Sequence, residues 1–184
     1  MILWDARIDF IKRGMPGPTW FDYVKREQLD VRALADIGVT VVVCKCRPAG
    51  RGRFEFDDDT GFDAAVIEVM DAAEENVEDF CAWRLEAPER FATLLGRSGV
   101  LGAGMLINPA SYFAGQSLRA WQTPLQWLKA RGQGFVILND RTARRCFKTA
   151  RSRKHAIETD DAEHGYRIAS AGGLRQQSIV YWQD

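Results

Sequence analysis

At 184 residues the chain suits a single domain, 1–184, long enough to bury a hydrophobic core without disulfides or metals. Its make-up, 46% hydrophobic and 27% charged, is that of a globular protein and excludes wholesale disorder. Its 25 bases balance 25 acids, and no run approaches the roughly 18 apolar residues that cross a bilayer.

The opening residues, MILWDARIDFIKRG, place acids inside an apolar stretch and carry no basic segment ahead of it, unlike a secretory signal. The expectation is a cytoplasmic protein without membrane contact, in which Cys44, Cys46, Cys81 and Cys146 stay reduced. Helical patterning runs to Gly38. Pro18 and Thr19 precede WFDYVKREQL, and Asp30 suits the cap of a second helix, VRALADI, that stops at Gly38.

The period then changes. Residues 39–46 (VTVVVCKC) are β-branched and continuous, as in a buried strand, and 53–56 (RFEF) alternate beyond a PAGRG turn. Residues 64–70 and 80–85 predict two further strands, and so an antiparallel meander. Pro88 at a first helical turn predicts a helix through ERFATLL to Gly96. A Gly-rich connection, 97–106, leads to a small helix that Asn108 caps and Pro109 begins.

A strand (SLRAWQ), a helix (TPLQWLKARG) and a strand (GFVILN) then form a βαβ-like unit. Thr123 caps this helix, Pro124 opens it, and Gly132 closes it. Helices follow Asp140 and span 160–171 as far as Gly172 and Gly173, and the tail QQSIVYW predicts a last strand. The fold class is α+β, mixed α/β: N-terminal helices, a meander, then the βαβ-like unit with flanking helices.

The balanced total conceals segregation. Thirteen acids and two bases, Arg84 and Arg90, occupy 54–90, whereas 141–154 holds seven bases and no acid. At 100° per residue Arg141, Arg144, Arg145, Lys148 and Arg151 share one helix face, with Ala143, Cys146, Phe147 and Ala150 opposite. Such a stripe can neutralise phosphates, or it can be met by the acidic segment. Asp140, at the start of this helix, reads as its cap.

Asp140 as a strand-end carboxylate partly resembles the primase and topoisomerase metal domains. Those need a further acidic motif, and here the Asp-x-Asp of Asp57 to Asp59 falls in a hairpin loop. Cys44-Lys-Cys46 puts both thiols on one strand face with no matching pair at zinc-finger spacing, which predicts free buried thiols. His155 and His164 lack HExxH or HxH spacing and read as surface histidines. No phosphate-loop, dinucleotide or serine-elbow motif is present, so no cofactor and no metal are expected. The six tryptophans, among them Trp182, read as core, with Trp20, Phe21 and Tyr23 as an alternative exposed patch.

Two stretches, AWRLEAPERFATLLG (82–96) and LRAWQTPLQWLKARGQGFVILND (118–140), resemble a loose group of uncharacterised bacterial proteins of prophages and other mobile elements. The residues that carry it are patterned hydrophobics with Pro124, Trp127, Leu128 and the VIL-x-D strand end. The resemblance implies a phage or mobile-element setting and brings no activity with it.

The leading expectation is a non-catalytic accessory or interaction protein. Its contact residues are Arg141, Arg144, Arg145, Lys148 and Arg151, and its partner a nucleic acid or an acidic protein. The rival is a metal-dependent phosphoesterase or nucleotidyl enzyme using Asp140 with other carboxylates. Self-association of the C-terminal strand, as an unpaired edge, would give a homo-oligomer.

Overall fold

The structure is a computed structural model that describes residues 3–150, 156–174 and 179–181. Three helices lead: α1 (Leu3–Arg13), α2 (Pro18–Glu27) and α3 (Val31–Asp36). Pro18 occupies the first turn of α2 behind an extended Gly17. The Asp30 side chain accepts the Ala33 N–H at 3.0 Å and so caps α3.

Strands β1 (Val41–Gly50), β2 (Arg53–Phe56), β3 (Phe62–Met70), β4 (Val77–Arg84) and β5 (Ala87–Thr93) close into a barrel in the order β1-β2-β5-β4-β3. The predicted meander describes only part of this. β3 pairs with β1 rather than β2, and β5 returns beside β2 in parallel at Arg53 and Thr93. The expected helix after Pro88 is corrected to strand β5. Its pairing with β4 shifts between Phe91, opposite Trp83, and Ala87, opposite Arg84. Pro88 thus sits in an irregular stretch, where its missing N–H costs no ladder bond. A strand at this position covers the open edge of β4, which a helix would leave unpaired.

The C-terminal half contains β6 (Val100–Leu101), α4 (Ala103–Ile107), a 3-10 turn (Pro109–Gly115), β7 (Leu118–Trp121), α5 (Pro124–Lys129) and β8 (Phe135–Ile137). It continues through α6 (Asp140–Ala150), β9 (Ile157–Thr159), α7 (Ala162–Gly172) and β10 (Ile179–Tyr181). The sheet order is β10-β9-β7-β8-β6, with β6 antiparallel to β8 and the other neighbours parallel. Thr123 and Gln126 form a reciprocal capping box on α5, and Gly132 adopts a φ of +74° behind it. The predicted βαβ unit is therefore the centre of a larger sheet. The Gly-rich segment, expected as a mere connection, contributes β6 and α4.

Alternate residues of this sheet serve two cores. Val100, Phe135 and Ile137 pack with Ala103 and Leu106 of α4, Ala143 and Phe147 of α6, and Ile168 of α7. Leu101 and Val136 face the other way, toward Leu125, Trp127 and Leu128 of α5 and toward Ala65, Ile67, Cys81 and Trp83 of the barrel. A third cluster joins Ala6 and Phe10 of α1 to the opposite set of barrel residues, including Val42, Cys46, Val66 and Phe80. Both sides of β3 and β4 are thus covered, which explains their nearly continuous apolar sequence.

The segment 94–99 connects the two halves, and Asp79 holds it in place. Its fully buried carboxylate accepts the backbone N–H groups of Phe80 (2.8 Å), Leu95 (2.8 Å), Arg97 (2.7 Å) and Ser98 (3.2 Å). A buried ion needs such a set of donors in place of water. The Gly99 carbonyl then accepts the N–H groups of Leu138 and Asn139, so the same segment sets the turn from β8 into α6.

Candidate anion-binding face on helix α6

Helix α6 is built where the sequence places it, but its start differs from the expectation for Asp140. The Asn139 side chain caps the helix by accepting the Arg141 N–H at 3.0 Å. Asp140 lies in the first turn and turns sideways, accepting from Arg167 of α7 at 3.2 and 3.3 Å. Below, Ala143 and Phe147 are fully buried, and Phe147 meets Phe135 edge to face at 5.4 Å between centroids. Gly99 runs so close to Thr142 and Ala143 that a Cβ there would overlap their backbone. The helix is therefore fixed along its lower face and at its first turn.

Its outer face holds Arg141, Arg144, Arg145 and Lys148, all exposed. Arg151, the fifth cation expected there, lies outside the described residues, as do His155 and Trp182. No ion pair among the described residues involves any of the four.

Five acids of the acidic segment find partners elsewhere. Glu68 pairs with Arg7 (3.1 Å), Asp58 with Arg13 (2.6 Å), Asp63 with Lys45 (3.4 Å), and both Glu55 and Asp57 with Arg47. Asp57 also accepts from the Thr60 hydroxyl (2.7 Å) and from the N–H groups of Thr60 and Asp59, which holds its carboxyl below the usual range. The Asp-x-Asp motif is thus the frame of a turn. Glu78 acts on α6 only electrostatically: burial first, then its charge, pushes the Cys146 thiol up.

A second polar group lies at the carboxyl end of the parallel strands. The Gln122 side chain, beyond β7, donates to Asp160 (2.7 Å) and Asp161 (3.0 Å), beyond β9. Asp160 also meets Nδ1 of His164 at 2.7 Å, and Asp161 caps α7 through the His164 N–H. His164 is buried, only 7% exposed, which corrects the expectation of a surface histidine. The i, i+4 spacing of Asp160 and His164 at a helix start was the available signal, but spacing alone does not reveal burial.

No three His, Cys, Asp or Glu side chains gather as a metal-holding group among the described residues. The neighbour of Asp140 is a guanidinium. All four cysteines are free, as expected, although Cys44 and Cys146 are only partly buried. The tryptophans divide: Trp83 and Trp127 are core, whereas Trp4 is 68% exposed. Of the proposed aromatic patch Phe21 is exposed, but Tyr23 is buried and its hydroxyl accepts from Trp83 at 2.9 Å.

A cavity of about 390 Å³ opens between α3, the barrel and α4, lined by Glu68, Asp71, Glu74, Trp127 and Arg131 among others, and it shares no residue with α6. No helix among the described residues is long and apolar enough to cross a membrane. No family model, curated protein or solved structure matches this chain.

Proposed function

We propose that the protein is a non-catalytic binding protein that holds nucleic acid on the outer face of α6. The observation that carries this reading is the set of four exposed cations, Arg141, Arg144, Arg145 and Lys148, without an ion pair among the described residues. Charges on a docked helix lose little order on meeting a phosphate backbone, and release of counterions drives the contact. A mobile-element setting belongs to the same proposal, supported by the resemblance of 82–96 and 118–140. The rival, a metal-dependent phosphoesterase, has less support because Arg167 takes the place beside Asp140 where a cation would be needed.

A shift assay with duplex and single-stranded DNA over a salt series tests the proposal. Binding at low salt is expected, with log K falling against log[salt] at a slope of about −3 to −4 for four neutralised phosphates. Arg144→Glu, Arg145→Glu and Lys148→Glu together abolish it while the thermal midpoint is kept. Absence of binding at low salt, or binding indifferent to these reversals, sinks the reading. Competition by an acidic polypeptide but not by DNA would assign the face to a protein instead.

A further inference from the structure

Strand β1 presents Cys44 and Cys46 on one face with Lys45 between them, and their sulfurs lie 4.0 Å apart in a thiol–thiol contact. Two residues along a strand separate their Cα atoms by about 6.7 Å, within the upper end of the 4.4–6.8 Å that a disulfide spans. The pair is unequal in access. Cys46 is fully buried, whereas Cys44 is partly open to solvent.

The last turn of α1 brings a cation to this face. Arg13 donates to Asp58 (2.6 Å), stacks over the Phe56 ring at 4.9 Å, and acts electrostatically on both thiols. Its Nε is a buried donor without a hydrogen-bond partner among the described residues. A negative sulfur on Cys44 would answer that cation. The hydrogen bond from Cys46, opposed by burial and aided by Arg13, lowers the Cys44 thiol below its ordinary range. Donating that hydrogen bond, and then burial, raise Cys46. The nearby Asp58 and Asp63 oppose Arg13 at Cys44. At Cys81 and Cys146, by contrast, burial raises the thiol.

We propose that Cys44 and Cys46 form a redox-active dithiol that hydroperoxides convert to an intramolecular disulfide. The Cys44 thiolate attacks a peroxide oxygen, the O–O bond breaks, and the alkoxide or hydroxide leaves and takes a proton. Sulfur loses two electrons to the peroxide and becomes a sulfenic acid. The Cys46 sulfur then attacks that sulfur. The S–S bond forms, the S–O bond breaks, and the hydroxyl departs as water with the Cys46 proton. An external thiol reverses the reaction by exchange. Closure brings the sulfurs from 4.0 Å to about 2.05 Å.

The full chain, treated with a small excess of hydrogen peroxide, then blocked and weighed intact, gives the test. The expected product has lost two hydrogens, and trypsin, which cuts after Lys45, leaves the two flanking peptides joined. Cys46→Ser is expected to stop at a sulfenic acid on Cys44 that a dimedone probe traps, and Cys44→Ser to give no such adduct at the other cysteines. Wild-type chain that keeps all its thiol hydrogens, or oxidises first at Cys81 or Cys146, overturns the proposal. The wild-type result decides the matter even where a serine variant fails to fold.

Discussion

In the barrel half, Glu55, Asp57, Asp58, Asp63 and Glu68 each meet a cation supplied by α1 or β1, while across the molecule Arg141, Arg144, Arg145 and Lys148 of α6 meet none among the described residues. Among the described residues, two stretches of opposite charge thus coexist without an ion pair between them. Ion pairs form between groups within about 4 Å, and a surface pair beyond a Debye length of about 8 Å is screened. A chain of zero formal charge can therefore keep a bare cationic face. The sharpest contrast lies in how the two regions treat carboxylates. In the barrel they complete turns and pairs, and at α6 the only acid, Asp140, is taken by Arg167.

The link between the two regions is most vulnerable at Asp79, since its carboxylate ties the barrel to the segment that seats α6. Asp79→Ala leaves the N–H groups of Leu95, Arg97 and Ser98 without their acceptor and is expected to cost about 3 kcal/mol. Denaturant unfolding measures it; a loss below about 0.5 kcal/mol, the level of an ordinary surface change, would show that the two halves are joined by packing alone. Gly99→Ala is the next largest, at about 2 kcal/mol, because the added methyl must push α6 away at Thr142 and Ala143. The same variant should weaken DNA binding without touching a cation, which separates placement of the helix from its charge.

The smallest effect concerns pH. Glu27 joins α2 to Lys129 of α5 at 3.0 Å, and although burial alone would raise its carboxyl, Lys129 and Arg26 hold it below the ordinary range. A depressed folded-state value means that the stabilisation is complete above the ordinary carboxylate range and is lost as pH falls through the folded value. The contribution is a few tenths of a kcal/mol, as for other exposed pairs. Lys129→Ala should flatten that part of the acid limb of a stability curve, and an unchanged limb would refute the assignment.

Much of this was legible along the chain. Thr123, Pro124 and Gly132 bound α5 because capping oxygens, a fixed φ and a left-handed stop act within a few residues. The face of α6 follows from helical period, and Ala143 and Phe147 are buried as that period requires. Short elements escaped: β6 has two residues and β9 three, too few to show a period. The helix foreseen after Pro88 failed for a different reason. Local preference near a proline favoured a helical start, and the unpaired edge of β4 outweighed it.

The sequence by itself determined the helix caps and stops, the apolar strands and the single-signed stripe at 141–148, because these depend on neighbours in the chain. Only the tertiary structure decided that β1 to β5 close into a barrel, that Glu55, Asp57, Asp58, Asp63 and Glu68 find Arg7, Arg13, Lys45 and Arg47, and that His164 is buried against Asp160. It also decided that Arg13, stacked over the Phe56 ring, acts electrostatically on the paired thiols of Cys44 and Cys46. Among the barrel pairs those outcomes join residues from 8 to 61 positions apart in the chain, from Arg47 with Glu55 to Arg7 with Glu68. Pairing and desolvation act through space, and sequence spacing carries no record of which distant groups the fold brings within reach.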